Sequence, residues 1–238
     1  PRYTAKAALR LLWGALQKPI AFAFVRMAPH HLFENGKFLT MMRNTKAGYG
    51  AVAITLHWIV AAAFIANYAL VYYSHWFTEP RSDLSRSLSS VHTAIGVSVL
   101  VFVGLRIVWR LTNQQPDDVP GTRLEHIASH VVHIVLYGIM IAMPLTGYLG
   151  YGGSSNLFFA MEIPSFQYTW LFTTIISEGL GLGWDTFEGA MDFLHKSVGA
   201  NAVLALVALH VGAALFHHFI RRDDVMVRMM SPKISTKE

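Results

Sequence analysis

The chain has 238 residues, of which 53% are hydrophobic and only 14% are charged, with a net charge of +5 and a mean hydropathy of +0.39. Soluble domains usually carry about 25% charged residues, so this composition indicates a membrane protein whose length suits one domain. The sequence has no cysteine, which excludes disulfides, thiolate-bound iron–sulfur clusters and covalently attached c-type haem. The basic residues flank apolar runs, which favours a role in membrane orientation over nucleic-acid binding.

Residues 1–40 are predicted to form a basic arm ahead of the main domain, residues 41–238. Apolar residues recur on one helical face of this arm, with Lys6 and Arg10 on the opposite face. This pattern predicts an amphipathic helix that lies on the membrane surface. A targeting remnant has a similar acid-poor, basic composition and stays open as the alternative.

Four apolar segments follow, and each is long enough to cross a bilayer. They are residues 51–73, 91–111, 126–148 and 195–220. The connection 150–192 contains an apolar piece, residues 166–176, that is too short to span and is expected at the membrane interface. The predicted fold is therefore all-α: a four-helix transmembrane bundle with an N-terminal amphipathic surface helix.

The basic residues predict how the bundle is oriented. Lys and Arg cluster in the arm, around the second loop and in the tail, whereas none lies between Arg123 and Lys196. The positive-inside rule then places both termini and the second loop on the cytoplasmic side.

Four histidines sort into two depths under this orientation. His57 and His210 lie toward the inner ends of their spans, whereas His92 and His195 open their spans at the outer edge. His195 and His210 are separated by about 22 Å along a helix and by roughly 60° around it, so both can face the bundle interior. Ionisable residues within a span are costly and usually functional, and histidine is a standard axial ligand of haem iron. The pattern predicts two b-type haems at two heights, with His217 and His218 as rivals of His210 for the inner one.

Several motifs, taken in order, give residues 49–233 a resemblance to the bacterial cytochrome b561 family. They are Thr55-Leu56-His57-Trp58, Pro80-Arg81-Ser82-Asp83, His92-Thr93-Ala94-Ile95-Gly96, His130-x-x-His133, Pro144-Leu145-Thr146-Gly147 and Leu209-His210. The resemblance implies that the axial ligands are His57, His92, His195 and His210. The family usually shows one residue fewer between its last two ligands. We therefore expect a local bulge in the fourth helix, or ligation by a neighbouring histidine instead.

Further residues are expected to contact haem or substrate. Arg81 and Arg106 suit the propionates of the outer and inner haem, because guanidinium pairs with carboxylate through two hydrogen bonds; for Arg106, a plain interfacial anchor is an equal alternative. His130 and His133, on one face with His126, match the family pattern and are expected to bind quinone. The resemblance also implies superoxide as a candidate donor, because some members of the family oxidise it at the outer face. A cationic patch of Arg81, Arg86 and Lys196 would attract this anion.

The expected function is electron transfer across the membrane through two haem b groups, from an outer-face donor, with superoxide as the candidate, to ubiquinone. Two alternatives stay open: a cytochrome b subunit of a larger respiratory complex, and a haem-free four-span transport or scaffold protein. The expected partners are the lipid bilayer, quinone, and either other subunits or a second copy. The expected location is the bacterial inner membrane, with the mitochondrial inner membrane as the alternative.

Overall fold

The computed structural model describes residues 41–232, so the predicted surface helix of residues 1–40 lies outside the described residues. Within them, four helices are long and apolar enough to cross a membrane: α1 Ala51–Phe77, α2 Asp83–Thr112, α3 Arg123–Leu149 and α4 Trp184–Arg221. Many of their large apolar side chains point outward, as expected of helices surrounded by lipid. The predicted all-α transmembrane bundle is confirmed.

Polar caps start two of these helices ahead of their apolar segments. Ser82 accepts a hydrogen bond from the Ser85 N–H at the start of α2. Thr122 and Glu125 form a reciprocal capping box at the start of α3. The second helix therefore begins at Asp83, ahead of the predicted start of its span at residue 91, and His92 lies more than two turns inside it.

The fourth helix changes its winding along its length. It is α-helical over Trp184–Asp192 and Leu204–Phe216, and π-helical over Phe193–Val203 and His217–Arg221. A π-turn absorbs one extra residue in a helix. The stretch Phe193–Val203 includes His195 and continues toward His210, the other predicted ligand of the fourth helix, so the expected bulge is confirmed.

The connection between α3 and α4 contains a hairpin that the sequence reasoning did not predict. Strands β1 Ser155–Leu157 and β2 Met161–Ile163 pair antiparallel, and a 3-10 turn, Phe166–Tyr168, and a π-helical segment, Leu171–Gly179, follow. Phe158 and Phe159 at the hairpin tip adopt left-handed φ angles of 51° and 61°. The Phe158 N–H donates to Ser98 Oγ at 2.7 Å, so the tip lies against α2.

The tightest packing in the bundle lies between α1 and α2. Val60, Val99 and Val103 are buried there, and partly buried side chains such as Phe64 and Met140 surround them. The other helix pairs share fewer contacts. The bundle therefore has one close-packed seam, and a cavity lies between its four helices.

Candidate metal centre

The outer predicted pair, His92 on α2 and His195 on α4, meets across the bundle. The two ring centres are 6.0 Å apart and the ring planes are inclined at 78°. Two imidazoles bound to opposite sides of one metal ion, each at about 2 Å, would have ring centres about 6 Å apart. The pair therefore has the spacing of two axial ligands.

A hydrogen bond orients the His195 ring. Its Nδ1 lies 2.8 Å from the carbonyl oxygen of Met143. Because a carbonyl can only accept, Nδ1 must carry the hydrogen, which leaves the Nε2 lone pair available to a metal. The His92 ring faces the backbone of Asn67, and its Nδ1 is buried without a hydrogen bond of normal geometry.

A cavity of about 740 Å³ surrounds the outer pair, within the size range of ligand pockets. It is lined by both histidines and by glycines from three helices, Gly96, Gly147 and Gly199. A Cβ added to Gly147 would lie 2.7 Å from His195 Cε1. Glycine is therefore required at 147 for the ring to occupy this position.

Three imidazoles meet at the inner site. The ring centres of His57 and His210 are 6.3 Å apart, and those of His133 and His210 are 5.8 Å apart. Both separations are compatible with two ligands on one metal ion. His210 is common to both pairs, which makes it the central inner residue.

The two rivals of His210 have other contacts. His217 Nδ1 lies 2.6 Å from Asp223 Oδ2, and His218 packs edge-on against Phe219. Burial alone would raise the pKa of Asp223, but hydrogen bonds from His217 and the Val225 N–H, together with neighbouring positive charge, lower it overall. His217 is thus engaged at the end of α4, away from the pair.

Arg106 lies at the inner site with an unused donor. Its guanidinium is 5.6 Å from the ring centre of Tyr137, and its charge acts on His57, His133 and His210. Its Nε is buried and has no hydrogen-bond partner among the described residues. An anionic propionate would satisfy this orphaned donor.

The outer cations are arranged differently from the expected patch. Arg81 is exposed, has a φ of 63° and accepts a hydrogen bond from Arg86 on its carbonyl, but it does not line the outer cavity. Lys196 does line it and pairs with Asp192 at 2.6 Å. Arg86 pairs with Asp83 at 2.5 Å. Two of the three cations are therefore partly neutralised by a carboxylate.

The third-helix histidines also separate. His126 Nδ1 lies 3.1 Å from Asp118 Oδ2, and His130 is exposed. His133 alone joins the inner site, next to His210.

The paired imidazoles suit a metal ion whose other ligands come from a bound cofactor rather than from the protein. Among residues 41–232 no group of three or more His, Cys, Asp or Glu side chains could hold a metal ion. A bare ion such as zinc normally needs three or four protein ligands, whereas haem iron needs only one or two. The paired imidazoles, the cavity and the orphaned Arg106 donor fit haem.

A helical membrane bundle with paired interior histidines defines a class, the membrane-embedded b-type cytochromes. The family model described as prokaryotic cytochrome b561 matches residues 48–232. The chain belongs to this family of membrane electron-transfer proteins, which implies b-type haem and a multi-pass bacterial membrane protein.

Curated relatives cover most of the chain. Cytochrome b561 homolog 2 of Escherichia coli K12 is 26% identical over 203 residues, which are 81% of this chain and 96% of that protein. Cytochrome b561 homolog 1 of the same organism is 29% identical over 185 residues, 76% and 96% of the two chains. A protein named probable superoxide oxidase CybB, from Yersinia pestis, is 28% identical over 192 residues, 78% and 97% of the two chains.

Proposed function

We propose that the chain carries electrons across the membrane between two b-type haems, one at each histidine pair. The observation that supports this most strongly is the occurrence of two imidazole pairs with centre-to-centre distances of 6.0 and 6.3 Å. Along α4 the two pairs are separated by about 21 Å, a large part of a hydrocarbon core of roughly 30 Å. Haem supplies reversible one-electron chemistry at its iron when bound.

The side chains have distinct tasks in this proposal. His92 and His195 bind at the outer level, and His57 and His210 bind at the inner level. If both histidines of a pair held the iron, no position would be left for oxygen, and the group would supply electron transfer rather than oxygen chemistry. Arg106 pairs with an inner propionate, and Lys196, which lines the outer cavity, is better placed for an outer propionate than Arg81.

Membrane quinone, with ubiquinone as the candidate, is the proposed partner at the inner level. His133 lies 5.8 Å from His210 between ring centres and is not needed as a ligand if His57 binds. A neutral imidazole there can donate a hydrogen bond to a quinone carbonyl and pass on a proton. His130 is exposed on the same helix and has a secondary place in the proposal.

Superoxide is the proposed outer donor. The similarity to a protein named probable superoxide oxidase supports this choice. Lys196 is the cation on the outer cavity, and although Asp192 pairs with it, its side chain is 70% exposed. Because Glu188 also lines this cavity and Asp192 pairs with Lys196, the electrostatic attraction of the anion to this end of the bundle is expected to be weak.

Reduced-minus-oxidised spectra of the purified chain test the proposal. We expect two haems per chain, loss of one in His92→Ala or His195→Ala, and loss of the other in His57→Ala or His210→Ala. His133→Ala and His217→Ala should keep both haems, and His133→Ala should slow quinone reduction. Absence of a b-type α-band would contradict the proposal and favour a haem-free protein. Purification only together with other subunits would favour the respiratory-complex alternative.

A further inference from the structure

The π-helical stretch Phe193–Val203 of α4 receives side-chain hydrogen bonds on two of its carbonyl oxygens. The Tyr68 hydroxyl, on α1, donates to the Gly199 carbonyl at 2.7 Å. The Asn201 side-chain amide donates to the Ser197 carbonyl at 2.8 Å. Donors of this kind, inserted into a helix's hydrogen-bond ladder, accompany local changes of helical winding. The stretch Phe193–Val203 forms a wide turn of the helix, and Tyr68 is the donor that ties this wide turn to another helix.

The wide turn also packs closely against α3. Gly199 is buried, and a Cβ added there would lie 2.5 Å from Met143 Cε. The carbonyl of the same Met143 receives the hydrogen bond of His195 Nδ1. Tyr68, Gly199, Met143 and His195 therefore form one continuous set of contacts from α1 through α4 and α3 to the outer imidazole.

The wide turn solves a register problem. A π-turn holds one residue more than an α-helical turn, so the extra residue adds no rotation of its own. The fifteen residues from His195 to His210 therefore rotate the chain by about as much as fourteen residues of a plain α-helix. The structure brings His195 to His92 and His210 to His57 at the same time. If the winding relaxed to a plain α-helix, one ring would rotate by about 100° relative to the other.

We propose that Tyr68 is a positioning residue whose hydroxyl holds this turn open and so sets the angle of His195 at the outer site. The proposal rests on the proposed function, since it assigns Tyr68 to the haem pair described there. Tyr68 also lines the outer cavity, so the test must separate the hydroxyl's action on the helix from direct contact with haem.

Tyr68→Phe keeps the ring and removes only the hydroxyl. Loss of one net hydrogen bond should speed haem loss from the outer site about two- to tenfold, with the inner site unchanged. The two haems are told apart by comparing the low-spin EPR signals with those of His92→Ala, which lacks the outer haem. Tyr73→Phe is the matched control, because Tyr73 is on the same helix, is half exposed and does not line the cavity.

Deletion of Ala200 separates the two modes of action. The shortened chain needs no wide turn, so it should keep both haems, and adding Tyr68→Phe to it should have no further effect. If Tyr68→Phe speeds haem loss equally in the full-length and shortened chains, the hydroxyl acts on haem directly and the proposal is wrong.

Hydrogen exchange gives a readout that does not depend on haem. In the purified full chain, the amides of residues 193–203 should exchange faster in Tyr68→Phe than in wild type or Tyr73→Phe. Unchanged exchange in that segment would overturn the proposal even if haem binds normally. Faster exchange in a chain that binds no haem would instead contradict the proposed function and leave the role of Tyr68 in the helix supported.

Discussion

Single glycines and imidazoles determine whether the outer site can form. The His195 ring lies where any side chain at 147 would touch it, and its orientation is held by one bond to Met143. If the ring moved, it would break this hydrogen bond. The same hydrogen bond occupies Nδ1 and so keeps Nε2 available for a metal. The residue at 147 is therefore a sensitive test of the site, although it is not a ligand.

Gly147→Ala should displace the His195 ring and weaken outer haem binding at least about tenfold, because the added methyl group overpacks a fixed contact. The haem-to-protein ratio of the purified variant, measured by pyridine haemochrome, should fall from two toward one. Gly138→Ala is the matched control, because this glycine is on the same helix and a Cβ there meets no heavy atom within 4 Å. Full haem content in Gly147→Ala would contradict the outer pairing.

The sequence singled out the four candidate histidines, but it did not predict the contacts that position them. His57, His92, His195 and His210 stand out because an ionisable residue inside an apolar span is costly and is usually kept for a function. Tyr68 and Gly199 are 131 residues apart in the chain, and no local pattern connects them. Contacts of this kind depend on how the helices pack, so they were accessible only from the structure.

At the scale of elements, the helices were predictable and the hairpin was not. The apolar length of the four segments predicted the spans. The resemblance implied one extra residue between the two predicted ligands of the fourth helix, which was compatible with a bulge or with ligation by a neighbouring histidine, and the structure shows the bulge. The predicted spans begin after the actual starts of α2 and α3, because the Ser82 and Thr122 caps lie in polar segments ahead of the apolar runs. The hairpin tip carries two phenylalanines where Gly or Asn would signal a turn, so its sequence predicted no turn.

The left-handed conformation of Phe159 is expected to cost stability. Its φ is 61° and its side chain is 62% exposed, so little packing offsets the strain. Phe159→Gly should raise the free energy of unfolding by about 0.5–1 kcal/mol, because the relief of left-handed strain exceeds the added chain entropy. Thermal unfolding in detergent checks this result. Phe158→Gly should gain less, since Phe158 packs against Phe102 with ring centres 5.9 Å apart.

At the scale of the whole molecule, polar contacts close the predicted inner end of the bundle. Arg221 pairs with Glu125, which joins the end of α4 to the start of α3. Asp223 accepts from His217, and Arg228 donates to the Asp117 carbonyl in the second loop. These contacts make the stability of this end dependent on pH.

The pKa of Asp223 is lowered in the folded chain, so its carboxylate stabilises the fold in full above the unfolded value of about 3.9. This contribution is lost as the pH falls through the lower, folded value. The difference in thermal midpoint between wild type and Asp223→Asn should therefore be largest near neutral pH and shrink in acid. Glu178→Gln, an exposed carboxylate on the outer connection, is the control. A difference that grows in acid would contradict the assignment.

The orientation of the bundle decides which of the two histidine pairs would meet an external donor. Basic residues predict that the loop after α1 faces outward and the loop after α2 faces the cytoplasm. Because the natural chain has no cysteine, single cysteines can be labelled without background. In intact spheroplasts, a membrane-impermeant maleimide should label Glu79→Cys and leave Gln114→Cys unlabelled, since both positions are exposed and lie in opposite loops. Permeabilised cells should label both. The reverse pattern in intact cells would place the large cavity and Lys196 on the cytoplasmic side, where they could not receive an external anion.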